Sequence, residues 1–188
     1  MPGTIYTRKG DFGTTGLFSG ERVEKIDPRV EANGALDELN AAIGVTKVHS
    51  SERVASILQG VQERLFYIAN EIATTDETLA LRVTTPEDTT DLENIIAQLS
   101  EELPPTENFV IFGGTESAAF LHVARAICRR VERQVLHLSV ATPVNQHLLT
   151  YINRLSSLLF QLARYANIVE GDGDLLISRD GTSIQRRE

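Results

Sequence analysis

The sequence predicts an all-α protein, an up-and-down bundle of four or five amphipathic helices behind a glycine-rich, non-helical arm. Three observations predict it. Apolar residues recur at three- and four-residue spacing through most of the chain from Pro28 to Val169. Proline and Ser/Thr/Gly clusters cut that pattern into helix-length pieces, most of them joined by short links. Gly10, Gly13, Gly16 and Gly20 interrupt every helical window before Pro28. With 188 residues and 41% hydrophobic content, the chain is long enough for one well-buried core. It is therefore expected to be a single domain over 1–188, with an arm (1–28), a bundle (29–169) and a tail (170–188).

In the arm, Thr7, Thr14, Thr15 and Ser19 alternate with the glycines. Backbone N–H groups, these hydroxyls and Arg8/Lys9 are the groups that wrap a phosphate. Neither GxxxxGK[ST] nor GxGxxG occurs, so no standard phosphate-loop motif is present. A first helix is predicted from Asp27-Pro28 to about Ser50, with Ala32, Ala35, Leu36, Leu39 and Ile43 facing inward and Asp37 nearly opposite. A second runs from Ser51 to Thr74 on Val54, Ile57, Leu58, Val61, Leu65, Ile68 and Ile72. The segment TTDETLALRVTTPEDTT then breaks the period and reads as an exposed, mobile connection. A third helix spans Pro86 to Leu103, buries Leu92, Ile95, Ile96 and Leu99, and stops at Pro104-Pro105.

Next, Phe109, Val110, Ile111 and Phe112 form an apolar knot before Gly113-Gly114, and Thr115 is positioned to cap the next helix. That helix, ending before Pro143, buries Ala124, Ile127, Cys128, Val131, Val135 and Leu138. Four arginines fall within nine of its residues, in a chain of net charge −8. At 3.6 residues per turn, Arg125, Arg129, Glu132 and Arg133 share one flank of the apolar seam, and Arg130 points to the other. Such a row is either a solvated face or an anion pocket, since guanidinium forks match phosphate oxygens in pairs. The last helix is expected from about Pro143 to Val169, on Leu148, Ile152, Leu155, Leu159, Leu162, Ala166 and Val169. Asn153, Ser157 and Arg164 are placed on its outer side. The tail holds one short apolar piece, Asp174 to Ser178, and then a charged end expected to fray.

Composition excludes several classes. A pI near 5.1 argues against nucleic-acid binding. The single cysteine, Cys128, sits on an apolar seam and permits no disulfide within the chain, as in a reducing compartment. No apolar stretch resembles a signal peptide or a transmembrane segment, so a cytoplasmic location is expected. Glu-x-x-His pairs, which a carboxylate di-metal bundle needs, do not occur, and no protein-bound metal is expected. Nothing local supports a Ser-His-Asp or Cys-His nucleophile.

Five segments in order, TRKGDFGTT (7–15), NGALDELN (33–40), FVIFGGT (109–115), ARAICRRVER (124–133) and YINRLS (151–156), resemble the PduO-type ATP:corrinoid adenosyltransferases. The resemblance spans nearly the whole chain. It implies an all-α, five-helix up-and-down bundle with an extended glycine-rich N-terminal arm, assembled as a homotrimer with sites at subunit interfaces. It implies transfer of the 5′-deoxyadenosyl group of ATP to the cobalt of cob(I)alamin, with Mg2+ accompanying ATP. By position, Thr7, Arg8, Lys9, Gly10, Thr15, Gly16 and Lys25 correspond to the ATP loop, and Arg129, Arg130, Glu132, Arg133 and Asn153 to the helical half of that site. Asp37 and Arg125 correspond to an intersubunit ion pair, and Phe109 to the aromatic under the corrin. A corrinoid reductase and an adenosylcobalamin-dependent enzyme are the partners this implies.

The residue types suit that chemistry. Cob(I)alamin is a strong nucleophile and needs no catalytic base; the protein must align C5′ with cobalt and stabilise the departing triphosphate. The chain departs from the family pattern in three places. Arg8 stands where lysine is common and Phe112 where proline is common, and no aromatic follows Tyr165. The alternatives are a non-catalytic nucleotide- or corrinoid-binding regulator on the same bundle, and a purely structural bundle.

Overall fold

The computed structural model describes residues 6–105 and 107–187; the first five residues of the arm lie outside the described residues. Five helices form the body: α1 (Pro28–Val48), α2 (Glu52–Ile72), α3 (Pro86–Glu102), α4 (Glu116–Ala141) and α5 (Gln146–Glu170). Each starts within about three residues of its predicted position, for local reasons. Asp27 accepts a hydrogen bond from Arg29 N at 2.8 Å, with Pro28 behind it as the first helical residue. Thr115 caps α4 through Ala118 N at 3.1 Å, and Asn145 caps α5 through His147 N at 3.0 Å. Thr85 N donates to Asp88 Oδ2 at 2.8 Å at the start of α3.

Lateral packing runs α2–α1–α4–α5–α3, and the Arg53–Glu102 and Arg64–Asp88 ion pairs tie α2 back to α3. The central position of α4 follows from its long buried seam, which reaches from Leu121 to Leu138. Leu36, Leu39 and Ile43 of α1, Leu58, Leu65 and Ile68 of α2, Leu99 of α3 and Ile152 and Leu155 of α5 complete one core. Each such side chain contributes about 1.5–3 kcal/mol of transfer free energy. Val169, expected in the seam of α5, is exposed, so the seam ends at Ala166. Among the described residues no helix is long and apolar enough to cross a membrane.

Short strands decorate the two ends of the bundle. In the arm, β1 (Thr14–Gly16) pairs antiparallel with β2 (Arg22–Glu24). The described part of the arm is thus a turn-rich loop closed by a hairpin, where an extended segment was expected. Gly13 at φ 84° and Gly20 at φ 92° make the reversals. At the opposite end, β3 (Phe109–Val110), β4 (Asp174–Ile177) and β5 (Ile184–Arg187) form a three-stranded antiparallel sheet.

Three expectations about polar segments are corrected. The charged end does not simply fray; Ile184–Arg187 pairs as β5 with β4, which itself carries a buried Leu176 against β3. Arg164, expected on the outer side of α5, is buried because it pairs with Asp174 (Nε to Oδ2, 2.9 Å). The connection between α2 and α3 is partly fastened. Thr84 is buried with its N and Oγ1 both donating to Glu71 Oε2, and Leu81 N donates to Asn70 Oδ1.

Candidate functional site

The arm loop is held together by its own backbone and by Arg22, whose guanidinium donates to Lys9 O at 2.7 Å and to Thr14 Oγ1. Gly13 N donates to Gly10 O, Lys25 N donates to Gly13 O at 2.7 Å, and Lys9 N donates to Thr7 Oγ1. The Lys25 ammonium reaches over the loop: a Cβ at Gly10 would stand 3.5 Å from Lys25 Nζ. Thr15 and Gly16 lie opposite Val23 and Arg22 in the hairpin. Arg8 adopts φ 59°, a left-handed conformation a bulky residue rarely takes, and its guanidinium lies 5.6 Å from the Tyr6 ring centroid. Thr7, Arg8, Lys9, Gly10 and Lys25 therefore lie together in one loop. Arg22, which organises them, carried no sequence signal beyond its charge.

On α4 the arginines separate as the helical period requires. Arg130 pairs with Glu38 on α1, so its charge is engaged on the side away from the other three. Arg125 lies between two rings, 5.5 Å from Phe112 and 5.3 Å from Phe160. Burial and then the neighbouring Arg129 lower its pKa from the usual guanidinium value. Arg129 and Arg133 are exposed, and Arg133 Nη1 donates to Arg129 O at 2.9 Å. Glu132 Oε1 accepts from Asn153 Nδ2 of α5 at 2.8 Å, which fixes two of the expected residues against each other.

Arg125 and Arg129 border a cleft of about 600 Å³ between α3, α4 and α5, lined also by Leu103, Phe160 and Arg164. Beside it, Phe109 and Phe112 stand 63% and 60% exposed at the entry to α4, an unusual amount of aromatic surface to leave in water. Phe112 stacks on His122 (centroids 4.5 Å, interplanar 21°). His122 is buried with no hydrogen-bond partner at either ring nitrogen among the described residues. Burial first, then Arg125, depresses its pKa to about 4, so the ring is neutral. Cys128 is fully buried and its thiol pushed up to about 12 by burial, which removes it as a nucleophile.

Asp37 is exposed on α1 and forms no ion pair among the described residues; within one chain Arg125 turns to the rings instead. The arm docks on the end of α2, through Phe18 N to Ala73 O (3.1 Å) and Ser19 Oγ to Thr75 Oγ1 (3.0 Å). No hydrogen bond or ion pair among the described residues joins it to Arg129 or Arg133.

In this five-helix bundle, then, Arg125 and Arg129 border a part-apolar cleft, and exposed aromatic rings stand alongside. The chain belongs to the cobalamin adenosyltransferase family, whose model matches residues 5–166. It is 42% identical over 163 residues to the corrinoid adenosyltransferase PduO of Salmonella typhimurium, 85% of this chain and 48% of the relative. It thus spans about half the length of that protein. It is 39% identical over 181 residues to the cobalamin adenosyltransferase of Cupriavidus metallidurans, covering 95% of this chain and 96% of the relative. Among solved structures it is similar to a variant PduO-type ATP:corrinoid adenosyltransferase from Lactobacillus reuteri complexed with cobalamin and ATP. The TM-score there is 0.88 at 38% identity, over 92% of this chain and 98% of that one.

Proposed function

We propose that this chain transfers the 5′-deoxyadenosyl group of ATP to the cobalt of cob(I)alamin, forming adenosylcobalamin and releasing triphosphate. The cobalt(I) electron pair attacks C5′, a cobalt–carbon bond forms, the C5′–O bond breaks, and the triphosphate departs with its electron pair. The observation that carries this reading is the Arg125–Arg129 row at a cleft beside Phe109 and Phe112, in a chain of this family.

Arg129 and Arg133 hold the polyphosphate with Thr7, Arg8, Lys9, Gly10, Thr15, Gly16 and Lys25 of the arm, and the Glu132–Asn153 pair orients the nucleoside end. The protein's part is alignment of C5′ and stabilisation of charge on the leaving group. Among the described residues no cluster of three His, Cys, Asp or Glu side chains is placed to hold a metal. A magnesium ion brought by ATP would sit mainly on the phosphates and supply charge neutralisation. Phe109 covers the lower face of the corrin, excludes an axial ligand there and makes cob(II)alamin easier to reduce; Phe112 and Arg125 support it.

Among the described residues no polar contact joins the arm to the arginine row; a homotrimer in which the arm of one subunit meets the row of the next would bring the two halves together. Asp37, which forms no ion pair among the described residues, then meets Arg125 of a neighbour. The exposed Val45 and Val48 of α1 and Val123 and Val140 of α4 supply apolar surface for that contact. Anaerobic incubation with ATP, magnesium and chemically reduced cobalamin tests the reading through the visible spectrum. Appearance of the adenosylcobalamin spectrum is expected; nucleotide-dependent stabilisation without it would mark a binding protein, and neither effect a structural bundle.

A further inference from the structure

The loop that carries Phe109 and Phe112 is held by polar side chains buried beneath it. At its near end, Arg164 Nη2 donates to Pro104 O at 2.7 Å. At its far end, one helical turn along α5, Asn167 Nδ2 donates to Gly113 O at 3.0 Å while its Oδ1 accepts from Thr115 N at 3.0 Å. Asp174 joins the two, accepting from Arg164 Nε at 2.9 Å and from Asn167 Nδ2 at 3.2 Å. Asp174 is also the first residue of β4, the strand that pairs with β3 and sets Phe109 opposite Ile177. Ile111 N donates to Leu175 O at 2.8 Å, and Gly173 N to Asn167 O at 2.8 Å, so the same hub fixes the strand as well as the loop.

All three side chains are buried, at 5% for Arg164 and 1% each for Asn167 and Asp174. Gly114 sits at φ 103°, and a Cβ there would stand 2.0 Å from Asn167 Oδ1. The amide can occupy its place only while residue 114 has no side chain. What the hub immobilises is mostly exposed; of the four apolar loop residues only Val110 is buried. Burying three polar groups costs desolvation unless each finds partners of fixed geometry, and such networks impose one arrangement more than they add packing. Asn167 and Asp174 lie beyond the 5–166 span that the family model matches.

We propose that Arg164, Asn167 and Asp174 are positioning residues that set Phe109 against the corrin and so control reduction of cob(II)alamin, leaving adenosyl transfer to cob(I)alamin largely alone. The proposal rests on the adenosyltransferase reading above. The hub acts on Phe109 through β3 and Gly113; Asn167 and Asp174 lie outside the lining of the cleft that Arg164 borders.

The test uses the full chain with Asp174→Asn, which keeps the shape but sets an amide N–H against the Asn167 donor, and with Gly114→Ala, which leaves Arg164–Asp174 intact and pushes Asn167 off the loop. Each variant is assayed with pre-reduced cob(I)alamin, with cob(II)alamin plus reductant, and by electron paramagnetic resonance of cob(II)alamin bound with ATP. Turnover from cob(I)alamin is expected within about threefold of the parent, while turnover from cob(II)alamin falls by about tenfold or more. The resonance signal of the four-coordinate form should shrink in step. A folded variant with an undiminished four-coordinate signal overturns the proposal, and so does an equal loss on both substrates, which would mark a merely structural role. If Asp174→Asn does not fold, Gly114→Ala is read by the same criteria. A parent chain inactive on cob(I)alamin would instead refute the adenosyltransferase reading.

Discussion

Replacing Phe109 with alanine separates packing from chemistry at the exposed aromatic. The ring is 63% exposed, so little more than a third of it is covered. Taking about 200 Å² for the side chain and about 25 cal/mol per Å², its removal costs at most about 2 kcal/mol. For a chain of this size that lowers Tm by about 4–8 °C at most. The expected effect on turnover is of another order. If Phe109 excludes the lower ligand, a loss of only about 120 mV in the one-electron potential cuts the reducible fraction about a hundredfold. Turnover from cob(II)alamin with a fixed reductant should therefore fall by about that factor, with ATP affinity retained and turnover from pre-reduced cob(I)alamin close to the parent. Parallel kinetics on both substrates, with thermal melts as the stability control, provide the measurement. Equal turnover of variant and parent from cob(II)alamin would remove Phe109 from the mechanism.

Arg129→Ala and Arg133→Ala change exposed side chains and should leave Tm nearly unmoved while lowering kcat by roughly 10²–10³; a steady-state assay within about threefold of the parent would count against their role. Asp88→Ala strips Arg64 of its buried partner at 3.0 Å and Arg82 of a 2.6 Å contact. It should cost about 3–5 kcal/mol, read as a Tm fall of about 10 °C or more. His122 is held neutral, its pKa brought from 6.5 to about 4 by burial and then Arg125. Between those values the unfolded chain binds a proton that the folded chain refuses. Its contribution is complete above pH 6.5 and is lost as pH falls toward 4, by at most about 3 kcal/mol. Urea unfolding of His122→Phe across this window should show a shallower pH dependence than the parent; identical slopes would refute the assignment.

How far the sequence reaches can be followed residue by residue. The Leu121–Leu138 seam, the Thr115 and Asp27 caps and the stop at Pro104-Pro105 are local encodings, because a helical face and its ends depend on neighbours within four positions. The same spacing put Arg125, Arg129 and Arg133 on one flank and Arg130 on the other, and the structure gives Arg130 to Glu38. Asn167 and Arg164 were harder. A polar residue beside the apolar seam of α5 reads as solvent-facing, and only its pairing with Asp174 beyond the helix end makes it buried. The hairpin in the arm was likewise hidden, since Arg22 meets Lys9 and Thr14 only after the chain reverses.

The sequence by itself determined which segments are helices, which face of each is apolar, and the family to which its five ordered motifs point. The tertiary structure alone decided that the tail becomes a strand beside Phe109, that Arg125 lies between Phe112 and Phe160, and that His122 is neutral beneath Phe112. Periodicity records how a side chain is directed from its own helix. Whether a polar group ends in water or in a buried network depends on partners brought from distant segments, and their approach is fixed only when the whole core closes.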